Sequence, residues 1–245
     1  MARKGRPKHE ALPPPLPPDT RTVGQLVAET INLYRRRFWA SLALGPAAAV
    51  MAVGLKVVPG WWDLAFVPAA SMVMTAAFMG AVLIASGVRA ERPVLLTAFA
   101  AGFAVFLPAL FLLGFFVLPA VAWLAFFGLA VPAALIERRG FRDSLRRGIE
   151  LGRADYVHAA GSLATLVIVT FLTSTVLFFL LRGSEIALVA AAFVSLLVIS
   201  PILFLGAALL YFDQAARVPT RRSDADLHHA HEPDRPGRAD PEGQS

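Results

Sequence analysis

Between Val94 and Ile136 the chain runs for 43 residues without one acidic or basic side chain. As a single helix that stretch would be ~64 Å long at ~1.5 Å per residue, about twice the ~30 Å of hydrocarbon in a bilayer. It therefore folds back once, and Gly114 to Pro119 is the natural place for the reversal. Four further apolar runs of spanning length flank it. The chain reads as six transmembrane helices at about 39–58, 64–88, 94–114, 119–136, 158–181 and 186–212. The expected fold class is all-α, a polytopic membrane helical bundle.

Composition agrees. Charged residues make up 16% of the chain, against ~25% in a soluble domain whose surface must face water. The mean hydropathy is +0.62. A pI near 10.5 raises nucleic-acid binding, but that requires basic residues gathered on one soluble face. Here they sit between apolar runs, so no nucleic-acid partner is expected. The absence of cysteine excludes disulfides, thiolate metal sites and cysteine nucleophiles. Arginine outnumbers lysine 20 to 3, and alanine and proline are abundant, which points to a GC-rich bacterial genome.

Cytoplasmic loops collect Lys and Arg. In a six-span arrangement 21 of the 23 basic residues fall on one side, leaving Lys56 and Arg182 on the other. Five spans would break that alternation. The expectation is a bacterial cytoplasmic (inner) membrane protein with both termini cytoplasmic. Aromatic residues that prefer the interfaces agree: Tyr34, Trp39, Tyr156 and Tyr211 fall at inner ends, Trp61 and Trp62 in the first outer turn, and Trp123 near the outer start of span four.

Residues 1–20 are basic and then proline-rich, without the apolar core of a secretory signal. They read as a disordered spacer, with a PxxP-type ligand as the sharper alternative. Residues 214–245 read as a second disordered tail. There His228, His229 and His231 lie near Asp226 and Glu232, a set that would bind metal weakly at most; no metal and no cofactor is expected.

Two segments read as amphipathic helices on the cytoplasmic surface, at about 22–38 and 140–153. Thr22 and Gln25 have capping-box spacing, and Val23, Leu26, Val27, Ile31, Tyr34 and Phe38 then share one face. In the second, Phe141, Leu145 and Ile149 recur every four residues, against Arg142, Arg146, Arg147 and Glu150. Basic helices of this kind sit in the headgroup layer and attract anionic lipid; the alternative is docking on the bundle. The two segments align without gaps, Val23, Val27, Ile31, Leu33 and Phe38 on Phe141, Leu145, Ile149, Leu151 and Tyr156. Either an old duplication or a shared amphipathic period produces that alignment.

The stretches RTVGQLVAETINLYRRRFW, VPAALIERRGFRDSLRRGIELGR and LLYFDQAAR, in this order over about 21–217, resemble the membrane domain associated with bacterial glycerophosphodiester phosphodiesterases. The resemblance implies six spans. In the fused enzymes a separate soluble barrel carries the chemistry, with acidic and histidine residues on a metal. About 33 residues follow the last span here, too few for a barrel, so the expectation is a protein that is not an enzyme.

Within the spans no Asp or Glu is expected at mid-depth, and Lys56 lies near an outer end where it can snorkel. That argues against a charge-relay transporter. Span five carries Ser162, Thr165, Thr170, Thr173, Ser174 and Thr175, either a solute path or a helix-packing seam. Glu137 and Asp213 each close a span beside arginines. With Arg35, Arg36, Arg37, Arg138 and Arg153 they form the candidate site, as charge pairs that pin spans to surface helices or as a pocket for anionic phospholipid headgroups. Two functions follow: a non-enzymatic module that organises lipid, a membrane-protein partner or a second copy, and a permease or export component with a path near span five.

Overall fold

The computed structural model describes residues 22–57, 63–181 and 185–230. The basic and proline-rich tail, Trp61, Trp62, Arg182 and Glu232 lie outside them, and the side chains of Lys56 and of the histidine-containing tail are likewise not described. All elements among the described residues are helices: α1 (Val23–Arg36), α2 (Phe38–Leu42), α3 (Gly45–Val57), α4 (Asp63–Ser86), α5 (Arg92–Leu113), α6 (Val117–Phe127), α7 (Ala130–Ile136), α8 (Phe141–Ala154), α9 (Tyr156–Leu181) and α10 (Glu185–Ala230).

Five stretches are long and apolar enough to cross a membrane: 65–86, 92–113, 117–136, 156–181 and 188–218. The uncharged 43-residue run does reverse, between Leu113 and Val117, where Gly114 caps α5 and Phe116 starts α6 in extended conformation. Its second half is broken again at Gly128–Leu129, separating α6 from α7. Pro132 explains the break, because it removes the N–H that would bond the Gly128 carbonyl and its ring crowds that same carbonyl.

The first expected span is not one rod. It is split into α2 and α3 at Ala43–Leu44, and its apolar part among the described residues, Phe38–Ala52, is shorter than the five spanning helices. Pro46 near the start of α3 disfavours unbroken helix through the residues before it. The α3 segment nevertheless packs closely on α10. A Cβ built at Gly45 would lie 1.9 Å from the Leu197 carbonyl oxygen, so only glycine fits. That carbonyl lies four residues before Pro201 and therefore has no helical N–H partner. One residue on, the Val198 carbonyl accepts the Tyr34 hydroxyl of α1 at 2.9 Å. The proline thus frees the Leu197 carbonyl against which Gly45 packs, and α1 is seated one residue further along α10.

α10 packs against more of the other helices than any other element does. It touches α1, α2, α3, α4, α8 and α9, while α4, α5, α6 and α9 close the ring. The main core joins Phe78, Phe106, Val82, Leu135 and Leu205, with Phe78 and Phe106 edge to face at 5.6 Å. Close approach relies on small residues: Gly102 abuts Thr75, and Gly206 abuts Leu166. At the centre of the ring a cavity of about 90 Å³, walled almost wholly by apolar atoms, is bounded by Phe78, Phe106, Val121, Leu163, Phe204 and Leu210. Trp123 is turned inward as well, its indole N–H donating to the Val105 carbonyl at 2.9 Å.

α10 does not stop near Phe212. It continues as helix to Ala230, where a disordered tail from residue 214 was expected. Asp213 and Gln214 are fully buried, and Ala215 and Val218 pack with Leu129, Ala133, Leu151 and Tyr211. Polar composition hid a continuing contact face.

Candidate functional site

α1 and α8 lie at the same end of the bundle, where α7 closes and α9 begins. The capping box that starts α1 is formed on both sides: the Gln25 N–H donates to Thr22 Oγ1 at 3.4 Å, and the Thr22 N–H donates to Gln25 Oε1 at 2.9 Å. α1 then turns Leu26, Thr30 and Tyr34 inward against α9 and α10. α8 docks on α6 and α7 by Ser144, Gly148, Leu151 and Gly152. That face is small rather than apolar; Phe141, Leu145 and Ile149 flank it and stay partly or largely exposed.

The two units share one register. The caps Thr22 and Gly140, the docking residues Leu26, Thr30 and Tyr34 against Ser144, Gly148 and Gly152, the ends Arg37 and Asp155, and the next helix starts Phe38 and Tyr156 are all 118 residues apart. The matching helix starts and ends extend the shared register beyond the two amphipathic faces. Ala164 in α9 stands 118 residues after Pro46, and without a proline at that point α9 is continuous where α2–α3 is not.

Between α7 and α8 the chain reverses at Arg138, whose φ of 52° is left-handed. That conformation costs a non-glycine residue roughly 1–2 kcal/mol. It brings three donors onto Glu137, the C-cap of α7. Tyr211 Oη donates to Oε1 at 2.6 Å, Arg147 Nε donates to the same oxygen at 3.1 Å, and Arg139 Nε donates to Oε2. Arg147 also reaches Glu150 at 3.4 Å. Burial by itself would raise the Glu137 pKa, but the bonds from Tyr211, Arg139 and Arg147 outweigh it and hold the carboxyl below its ordinary value. For Arg147 burial again opposes and Glu137 prevails, so its pKa is raised. One carboxylate thereby joins α7, α8 and α10.

A second knot joins α9 to α10. Asp155 Oδ1 accepts the His158 N–H at 3.2 Å, capping α9, and Asp155 Oδ2 accepts Arg217 Nη1 at 2.9 Å. Arg217 Nη2 lies 3.3 Å from His158 Nε2.

The expected cluster is therefore divided. Glu137 is held by Arg139, Arg147 and Tyr211, and among the described residues it makes no ion pair with Arg35, Arg36, Arg138 or Arg153. Arg138 lies 4.0 Å from Glu91 with both side chains exposed. Asp213 is buried and engaged on α10. Arg35 and Arg153 occupy equivalent positions on the two surface helices, and Arg35, Arg36, Arg37, Arg142 and Arg153 all point outward. None of these five enters an ion pair among the described residues. Trp39, 80% exposed, and the partly exposed Ile31, Phe38 and Phe141 lie beside them. Sequence reasoning missed Arg147 and Tyr211, although Arg147 directly precedes the docking Gly148. No group of three His, Asp or Glu among the described residues could hold a metal ion.

No family model matches this chain, and no curated protein or solved structure shows significant similarity to it.

Proposed function

We propose that this chain is a non-enzymatic integral membrane module that gathers anionic phospholipid at the end of the bundle carrying α1 and α8, and through that surface organises its lipid surroundings or a partner protein. The observation that carries the reading is the division of labour on the two surface helices. Each docks by one narrow face and presents unpaired arginines beside half-exposed apolar side chains, the pattern of a helix seated in a headgroup layer. In this reading α2–α3 supplies a sixth, broken span, both termini are cytoplasmic, and the membrane is the bacterial inner membrane. The resemblance to the membrane domain of glycerophosphodiester phosphodiesterases belongs here too, as kinship of the membrane part without phosphodiesterase chemistry. Glu137 supports the non-catalytic assignment, since its carboxylate is committed to three structural donors. A permease would place its path along α9, where the surface of the groove of about 330 Å³ against α10 is almost wholly apolar, as is that of the smaller cavity at the bundle centre, which favours the module.

The test is purification of the wild type in mild detergent with mass spectrometry of retained lipids and proteins, beside a variant carrying Arg35→Ala, Arg36→Ala, Arg142→Ala and Arg153→Ala. Enrichment of anionic over zwitterionic lipid in the wild type, reduced severalfold in the variant, is expected. Retention of bulk lipid composition by both proteins overturns the proposal.

A further inference from the structure

His158 stands where the end of α8, the start of α9 and the last part of α10 meet. Its backbone N–H and the Arg217 guanidinium share one carboxylate: Asp155 Oδ1 accepts the first at 3.2 Å and Oδ2 accepts Arg217 Nη1 at 2.9 Å. The imidazole closes the triangle, with Nε2 at 3.3 Å from Arg217 Nη2. A guanidinium offers donors only. That third contact is therefore a hydrogen bond only while Nε2 keeps its lone pair, so the ring is neutral and carries its proton on Nδ1.

A second proton on the ring reverses this contact. Two donors and two like charges then face each other across 3.3 Å, and the imidazolium competes with Arg217 for Asp155. Arg217 and Asp155 are the charges that act on the ring, and among the described residues only Arg217 lies within hydrogen-bond reach of it. Of the other elements packed on α9, α6 has no titratable side chain, α1 brings Glu29 and Tyr34, α8 ends on Arg153, and α10 adds Asp213 one turn before Arg217. The side chains of Arg217 and Asp155 are 19% and 32% exposed, so protons reach the knot.

The pair that would break is the one that matters at this end of the bundle. Past Asp213, α10 is held to its neighbours by the small contact of Ala215 and Val218 and by the Arg217–Asp155 pair. We propose that Asp155, His158 and Arg217 form an acid-opened latch, in which protonation of His158 parts Arg217 from Asp155 and frees the end of α10 from the α8–α9 junction. The latch does not rest on the lipid-gathering reading. A free imidazole takes its proton near pH 6.5. Coupled to opening, that proton enlarges the open population by up to about 30-fold at about pH 5 and leaves it nearly unchanged at about pH 7.5. The latched state is thus complete above about pH 6.5 and is lost as pH falls below it.

The experiment places the full-length protein in nanodiscs of phosphatidylcholine alone, so that no anionic lipid acts on the arginines. Hydrogen–deuterium exchange of the backbone around Arg217 is followed at about pH 5 and pH 7.5 and corrected for the intrinsic dependence of exchange on pH. In the wild type, exchange there should be severalfold to about 30-fold faster at the lower pH. His158→Gln puts a neutral amide oxygen where Nε2 accepts, and should remain protected at both. The other four histidines persist in that variant, so a response that they cause would survive in it. Asp155→Asn keeps an oxygen to cap α9 but loses the charge that holds Arg217, and should exchange fast at both pH values. The wild-type ratio needs no substitution, so a misfolded variant leaves the proposal testable. Equal corrected exchange at the two pH values overturns the latch. So does the wild-type response appearing unchanged in His158→Gln, or Asp155→Asn remaining as protected at pH 7.5 as the wild type.

Discussion

Replacing Gly148 with alanine tests how α8 is seated. A Cβ at that position would lie 2.8 Å from the Ala130 amide nitrogen and 3.0 Å from its Cα and Cβ, whereas ordinary contact begins near 3.4 Å. The obstructing atoms are mostly backbone, so no rotamer change relieves them, and α8 must withdraw by roughly 0.6 Å or more to reach that contact distance. Withdrawal also loosens Gly152, whose Cβ position is 2.8 Å from the Ala125 carbonyl oxygen, and the 3.1 Å bond from Arg147 to Glu137. Overpacking of this kind costs ~1–3 kcal/mol, and alanine returns up to ~1 kcal/mol of helix propensity. The propensity gain can be subtracted by experiment. Gly24 in α1 has open space where its Cβ would be, so Gly24→Ala should show the gain without the clash. The two variants should therefore differ by ~2 kcal/mol, or roughly 4–8 °C in thermal midpoint for a chain of this size. Thermal unfolding in detergent, followed by circular dichroism, measures the gap. If Gly148→Ala is stabilised as much as Gly24→Ala, the seating of α8 on α7 described above is wrong.

Glu137→Gln should lower stability by ~1–3 kcal/mol, because two arginines lose their carboxylate, and Tyr211→Phe by ~1 kcal/mol. The pH dependence has a fixed sign. The folded-state pKa of Glu137 lies below its ordinary 4.5, so the network contributes fully above that pH and is lost as pH falls through the lower folded-state value. Acid titration of the thermal midpoint should be shallower in Glu137→Gln than in the wild type; parallel curves would disprove the assignment. Gly45→Leu should displace α3 from α10 and cost ~3 kcal/mol or more, given the 1.9 Å approach to Leu197, read as a lowered midpoint or loss of the folded species in size-exclusion chromatography. The chain has no cysteine, so single cysteines report sidedness directly. Arg142→Cys should react with an impermeant maleimide only after the inner membrane is opened, and Phe116→Cys in intact spheroplasts.

Five spanning helices and the reversal after Leu113 were legible because hydrocarbon thickness leaves few ways to fold 43 uncharged residues. The split of the first span was harder to see, since Pro46 reads the same whether it kinks a helix or ends it. At the candidate site the charges were found but their partners were not. Reading α8 by its apolar row turned Phe141, Leu145 and Ile149 toward the headgroup layer, with docking on the bundle as the alternative, and left the contact face unassigned; the helix docks by Ser144, Gly148 and Gly152, where backbones come closest. Had the small residues been taken as the contact face, Arg147 would have stood next to Glu137. Tyr34 and Tyr211 were assigned to a membrane interface by type. Each instead spends its hydroxyl on a protein acceptor, a choice set by tertiary geometry that no local pattern records.

α10 follows in the chain every helix it touches. During synthesis, α1, α3, α4 and α9 are each made before the element they pack against exists, and the Gly45 backbone waits for a carbonyl made about 150 residues later. Assembly of this bundle is consequently gated by its final helix, and a nascent chain arrested before residue 197 would offer its unpaired seams to insertases or quality-control proteases rather than a smaller, partly working protein.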